Sequence, residues 1–165
     1  MCEDMAGSRA YPDDATAGAS SPSGRAGQAA QRYEVKPVAW VESPLNDRVQ
    51  APRQGSEGAP QAWLAVEPDV AEAIRDLRAG QQVIVLTWLD RARRDELTTV
   101  PGDNPASPPL GVFSTRSPDR PNPIGLHRAQ ILAVEGLRIL VSELEALDGT
   151  PVIDIKPAID PVAER

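Results

Sequence analysis

Gly111 to Arg128 reads GVFSTRSPDRPNPIGLHR and holds the densest set of groups able to do chemistry. Arg116 and Arg120 each carry a planar guanidinium that grips a carboxylate or phosphate through two parallel hydrogen bonds. Pro118, Pro121 and Pro123 are interleaved with them. Proline fixes its own φ and pushes the residue before it (Ser117, Arg120 or Asn122) towards extended backbone. A loop stiffened in this way loses little entropy when a ligand docks, so it is preorganised for binding. The same residues also suit a stiff structural turn whose arginines pair with Asp119 or with solvent, since clustered charge is common in structural networks.

Two further segments carry weaker signals. In Leu147 to Pro157, LDGTPVIDIKP, the pair Asp148-Gly149 is a turn signal, and Thr150-Pro151 then feeds an apolar strand. Asp154 and Lys156 fall on one face of that strand and are expected to pair with each other. Ala51 to Gly55, APRQG, offers an arginine and a glutamine inside a polar stretch. Asp90 and Asp148 are carboxylates at the edges of these segments.

The elements that position these groups are mostly strands. Val35, Val38, Trp40 and Val41 suggest a first strand, kept to an edge or bulge by Pro37. Residues 43 to 60 read as a long loop, and loops of that length are usually functional or disordered. Ala62 to Val66 is a short strand, and Gln82 to Leu89 (QVIVLTWL) is apolar enough to be buried on both faces. Between them Val70, Ala73, Ile74 and Leu77 have helical spacing, with Pro68 and Asp69 before them and Gly80 at the end. Leu110 to Ser114 and Val152 to Ile155 are further strands, while Leu126 to Val134 and Leu137 to Leu144 form a hairpin around Glu135-Gly136. Six or seven strands and one helix predict a mainly β fold: a small closed or nearly closed β-barrel with one short inserted helix.

Residues 1 to 34 contain no Val, Leu, Ile, Phe or Trp. Such a segment cannot offset its ordering entropy by burial, so residues 1–32 are expected to be a disordered tail. The domain then spans 33–160, and 161–165 is a short C-terminal tail. The 165-residue chain has a net charge of -7, so no global basic field draws it to nucleic acid. Arg91, Arg93 and Arg94 form the local cluster from which RNA phosphates could be met. One cysteine (Cys2) and one histidine (His127) exclude an intramolecular disulfide and a cysteine-based zinc site, so no metal is expected. No apolar run is long enough to span a bilayer, so no membrane is expected either. The location expected by elimination is cytoplasmic.

In that order, APRQG, the proline-rich run and DGTPVIDIKP resemble the TrmO-type tRNA adenosine methyltransferase family. The resemblance covers about residues 35 to 160. It implies a β-barrel enzyme acting as a homodimer, with S-adenosylmethionine held near the subunit interface. The methyl acceptor it implies is the exocyclic amine of a threonylcarbamoylated adenosine beside the anticodon of tRNA. Position by position, cofactor contacts fall on Pro52, Arg53, Gln54, Leu89, Asp90, Arg116, Leu126, Asp148, Gly149, Thr150 and Pro151. Arg120 and Asn122 are candidates for substrate contact, and Asp90 or Asp148 for the catalytic proton acceptor. Longer members continue past the last motif, and many carry Tyr where this sequence has Ala158. Two other readings are a non-catalytic module that binds S-adenosylmethionine or RNA, and a methyltransferase for another RNA or a small molecule.

Overall fold

The computed structural model describes residues 33–100 and 107–159. The tails expected at 1–32 and 161–165 lie outside the described residues. Six strands close into a ring in the order β1 (Ala39–Glu42), β2 (Ala62–Val66), β7 (Arg138–Val141), β6 (Ile124–Glu135), β3 (Gln82–Trp88) and β8 (Pro151–Pro157). All six neighbouring pairs are antiparallel. Two short strands, β4 (Thr98–Thr99) and β5 (Leu110–Gly111), form a separate ribbon. The mainly β barrel expected from the sequence is therefore the fold observed.

Alternation fills the ring. Val41, Leu64, Val83, Val85, Ile131, Ile139, Val141 and Val152 are each essentially buried, and Leu144 joins them from a loop. Each such side chain is worth about 1.5–3 kcal/mol relative to exposure. The apolar run of β3 is not buried on both faces as expected. Val83, Val85 and Thr87 point inward, while Ile84, Leu86 and Trp88 are only half-buried. Among the described residues Ile124 and Leu126 on the same outer face are about half-exposed, so the apolar face of the β3–β6 pair stays partly open.

The short inserted helix expected between β2 and β3 is present. It is a 3-10 segment, Pro68–Ile74, with non-helical backbone at Val70. Pro68 sits in its first turn, and Glu67 rather than Asp69 precedes it, with no side-chain cap. Asp69 instead pairs with Lys36, and that hydrogen bond holds the lysine above and the carboxyl below their ordinary pKa values. The expected strand 110–114 turns after Gly111 into a 3-10 turn at Val112–Ser114. No helix among the described residues is long and apolar enough to cross a membrane.

Alternating strand direction sorts the connections between two ends. The 3-10 segment and the tight turn at Gly136 (φ 58°) lie at one end. At the other end are the long connections β1–β2 (43–61), β3–β6 (89–123) and β7–β8 (142–150). APRQG, the proline-rich run up to Pro123 and the Asp148–Thr150 turn fall within those three connections, and β8 carries the rest of DGTPVIDIKP on to Pro157 at the opposite end.

Candidate functional site

The β7–β8 connection is the centre of the loop end. Asp148 N–H donates to Leu45 O (2.7 Å) and Gly149 N–H to Val41 O (2.8 Å), while Thr150 O accepts from Val41 N–H (3.0 Å). Gly149 has φ 74°, where a side chain is strained, which is why the turn signal at Asp148-Gly149 is realised here. Asp148 Oδ1 accepts from Ser43 N–H at 3.0 Å. Thr150 and Pro151 are buried, and Asp148 and Gly149 are exposed.

The β1–β2 connection lies against the same loop. A Cβ on Gly55 would stand 2.3 Å from Glu143 O, so the backbones meet directly at that point. Leu144 N–H donates to Pro60 O at 3.0 Å. Glu57 folds back on the APRQG run, accepting from Arg53 N–H (3.1 Å) and Gln54 Nε2 (3.2 Å). Pro52, Arg53 and Gln54 thus lead into a short 3-10 turn (Gly55–Glu57), whose Gly55 meets the β7–β8 connection at Glu143.

The β3–β6 connection supplies the rest. Leu89 N–H donates to Pro123 O at 2.8 Å, which brings the end of β3 to the proline-rich loop. Leu126 lies across from Leu86 on the outer face and is half-exposed. Asp90 is exposed, and its carboxylate has no partner among the described residues. Arg91 ties the three connections together, donating to Asn46 O (3.3 Å) and Asp148 O (3.2 Å). Arg48 pairs with Asp119 at 3.1 Å, and Asp119 also accepts from Arg93 N–H at 2.9 Å.

The two arginines of the proline-rich loop have different surroundings. Arg120 is half-buried, and its guanidinium donates to the carbonyls of Ser117 (2.8 Å), Val112 (3.1 Å) and Thr115 (2.6 Å). It clamps the loop from within. Arg116 is exposed and has no hydrogen-bond or ion-pair partner among the described residues. Asn122 O accepts from Ile124 N–H, and its side chain is exposed. Asp119, considered from sequence as a partner for Arg116 or Arg120, pairs with Arg48 instead. Asp154 and Lys156 do pair, at 2.7 Å.

Of the arginine cluster read as an RNA contact, Arg91 is engaged in the loop ties just described. Arg93 pairs with Glu96 at 2.5 Å, and Arg94 lies 5.3 Å from the Trp88 ring centre. Sequence reasoning did not single out Thr87, His127 or Arg48. Strand alternation could have placed Thr87 and His127 inside, but Arg48 sits in an irregular loop with no periodic signal.

Among the described residues the loop end therefore presents Arg116 and Asp90 without side-chain partners and a glycine turn at Gly149, with Leu89 following β3 and Leu126 on β6. An S-adenosyl-L-methionine-binding protein of Archaeoglobus fulgidus is 44% identical over 129 residues, 76% of this chain and 91% of that protein. The probable S-adenosyl-L-methionine-binding protein VirR of Rhizobium radiobacter is 38% identical over 120 residues, 73% of this chain and 67% of that one. The crystal structure of TrmO from Pseudomonas aeruginosa superposes with a TM-score of 0.63 at 30% identity, covering 81% of this chain and 58% of that one. The chain thus spans less than two thirds of the solved TrmO chain. Residues 40–162 match the tRNA-methyltransferase O N-terminal domain, and the chain belongs to that family.

Proposed function

We propose that the chain is an S-adenosylmethionine-dependent methyltransferase acting on tRNA. Its substrate is the exocyclic amine of a threonylcarbamoylated adenosine beside the anticodon. The observation that carries this reading is the convergence of APRQG, the proline-rich loop and the Asp148–Pro151 turn at one barrel end, joined through Arg91 and the Leu89–Pro123 contact.

The residues present fit the cofactor. Arg116, without a partner among the described residues, suits the methionyl carboxylate through two parallel hydrogen bonds. The Gly149 turn has no side chain to bar a ligand's approach, and Leu89 and Leu126 offer apolar surface for the adenosine. Pro52, Arg53 and Gln54 border the same loop and close the site from the β1–β2 side, and Asp148 to Pro151 form its floor. When bound, the cofactor supplies an electrophilic methyl group on a sulfonium. The protein then has to hold the amine about 3 Å from that methyl on the displacement axis. An adenine amine shares its lone pair with the ring, so a proton acceptor adds roughly 10²–10⁴-fold. Asp90 is the stronger candidate, because the Asp148 carboxylate already accepts from Ser43 N–H. Asn122 faces solvent on the same rim and is available to the RNA, while Arg120 acts by keeping the rim rigid.

The protein works as a homodimer. Leu86 with Leu126, and Trp88 with Ile124, form cross-strand pairs on the partly open outer face of β3 and β6. Leu126 and Ile124 are 49% and 45% exposed, an apolar row adjoining the cofactor residues. A partner seated there brings the site to the subunit interface. A tRNA substrate implies work in the cytoplasm. The names of the curated relatives mention only binding, which favours a second reading as a non-catalytic S-adenosylmethionine-binding module.

The test is calorimetric titration with S-adenosylmethionine, followed by mass spectrometry of tRNA nucleosides from cells with and without the gene. Loss of one N-methylated adenosine in the deletion supports the enzyme. Cofactor binding with unchanged nucleosides supports the module.

A further inference from the structure

Thr87, His127 and Thr150 are the buried polar side chains among the described residues, and all three belong to the loop end of the barrel. Thr87 Oγ1 lies 2.8 Å from His127 Nε2, a buried contact. Glu145 Oε1 lies 2.8 Å from Nδ1 on the other side of the ring, close but too poorly aligned to count as a formed hydrogen bond. A hydroxyl, an imidazole and a carboxylate in a row can activate a nucleophile. Here Thr87 is 0% exposed, so no substrate reaches its oxygen and that role is excluded.

What the row connects is more informative. Thr87 on β3 is two residues before Leu89, and His127 on β6 immediately follows Leu126. Glu145 is three residues before Asp148 in the β7–β8 connection. The row thus spans from two strands to the loop that carries the Asp148–Pro151 turn. A neutral imidazole has one donor and one acceptor nitrogen. The carboxylate favours the proton on Nδ1, and Nε2 then accepts from the Thr87 hydroxyl. The sequence keeps room for this arrangement. A Cβ at Gly125 would stand 2.3 Å from Thr87 Oγ1 and 2.6 Å from His127 Nε2.

We propose that Thr87, His127 and Glu145 form a positioning strut that sets the Asp148–Pro151 turn relative to Leu89 and Leu126. The value of that placement rests on the cofactor site proposed above, but the strut itself can be tested without cofactor. Asp148, Gly149 and Thr150 donate their amides to Leu45, Val41 and Leu147 carbonyls, so their hydrogen exchange reports the turn. Val66 and Gly80, bonded to Leu137 and Ile131 carbonyls at the opposite end, report global stability. In the full chain, Thr87→Val keeps the shape and removes the hydroxyl. It should speed exchange at 148–150 about 3- to 10-fold while Val66 and Gly80 exchange as in wild type. Thr87→Ser should restore protection; Glu145→Ala should lose it and Glu145→Gln keep most of it. Wild-type exchange at 148–150 in both Thr87→Val and Glu145→Ala overturns the strut. Equal acceleration at Val66 and Gly80 also overturns it, since the row would then contribute only to global stability. Titration with S-adenosylhomocysteine separates the two proposals. A wild-type protein that does not bind it sinks the cofactor reading, and the exchange data still decide the strut.

Discussion

Arg91 donates to the main-chain carbonyl of Asp148 at 3.2 Å and to that of Asn46 at 3.3 Å. One side chain from the β3–β6 connection therefore holds both neighbouring connections. Its contacts are solvent-exposed, so they are worth less than buried ones. Arg91→Ala should weaken S-adenosylmethionine binding by about 3- to 10-fold, the equivalent of one ordinary hydrogen bond. The melting temperature should change little, because no core side chain depends on Arg91. Lysine should rescue only partly, since a point charge does not reach two carbonyls in a fixed fork. Titration calorimetry on the three proteins measures this directly, and unaltered affinity in Arg91→Ala would mean the loops are held without it.

Arg116 and Arg120 should fail in different ways. Arg116 has no partner among the described residues, so Arg116→Ala should leave stability unchanged. It should weaken cofactor binding about 10- to 150-fold, as expected for a lost hydrogen bond to a charged group of 1.5–3 kcal/mol. Arg120 instead donates to three loop carbonyls. Arg120→Ala should cost about 1–3 kcal/mol of stability, a fall in Tm of roughly 3–10 °C for a domain of this size. Thermal scans beside binding isotherms distinguish the two. A stable Arg120→Ala protein with lost affinity would mean that Arg120, not Arg116, contacts the cofactor.

The strands were legible because apolar alternation and β-branched residues mark them locally. Ala62–Val66 was recovered with its observed boundaries, and β3 differed by one residue at its end. The outer face of β3 was misread, because a run such as QVIVLTWL does not say whether a second layer covers it. The inserted helix was legible as a short element, but the spacing of Val70, Ala73, Ile74 and Leu77 runs three residues past its observed end at Ile74. The proline-rich loop was legible as rigid, but the opposite environments of Arg116 and Arg120 depend on carbonyls whose direction the sequence does not reveal. His127 was visible only as a lone histidine. Its place follows from Gly125, His127, Ala129 and Ile131 sharing the inner face of β6, a period-2 pattern weakened by the glycine and the histidine themselves.

Light scattering at micromolar protein should give the mass of a dimer. Ile124→Glu puts a charge on the partly open outer face, opposite Trp88, without touching the barrel interior. It should yield a folded monomer by the same measurement, with weakened cofactor binding because Leu126 and its neighbours lose the covering subunit. A wild-type monomer that binds S-adenosylmethionine at full affinity would remove the dimer from the proposal.

Gly125→Ala tests how tightly the interior is packed beneath the site. The added Cβ would lie 2.3 Å from Thr87 Oγ1, 2.6 Å from His127 Nε2 and 3.2 Å from Leu89 Cδ2. Thr87 is β-branched and stiff at χ1, and the imidazole is wedged between Thr87 and Glu145, so neither yields cheaply. Overpacking of this kind costs about 1–3 kcal/mol. Thr87→Ala alone should also destabilise, through the small cavity it leaves. If the clash with Oγ1 is the main penalty, the double variant should be more stable than the sum of the two single losses. Urea denaturation should then give a coupling of about 1 kcal/mol or more, outside the roughly 0.3–0.5 kcal/mol scatter of independent sites. Additive losses would mean that the strand shifts to accommodate the alanine, and Gly125 would then be kept for a reason other than room for Thr87 and His127.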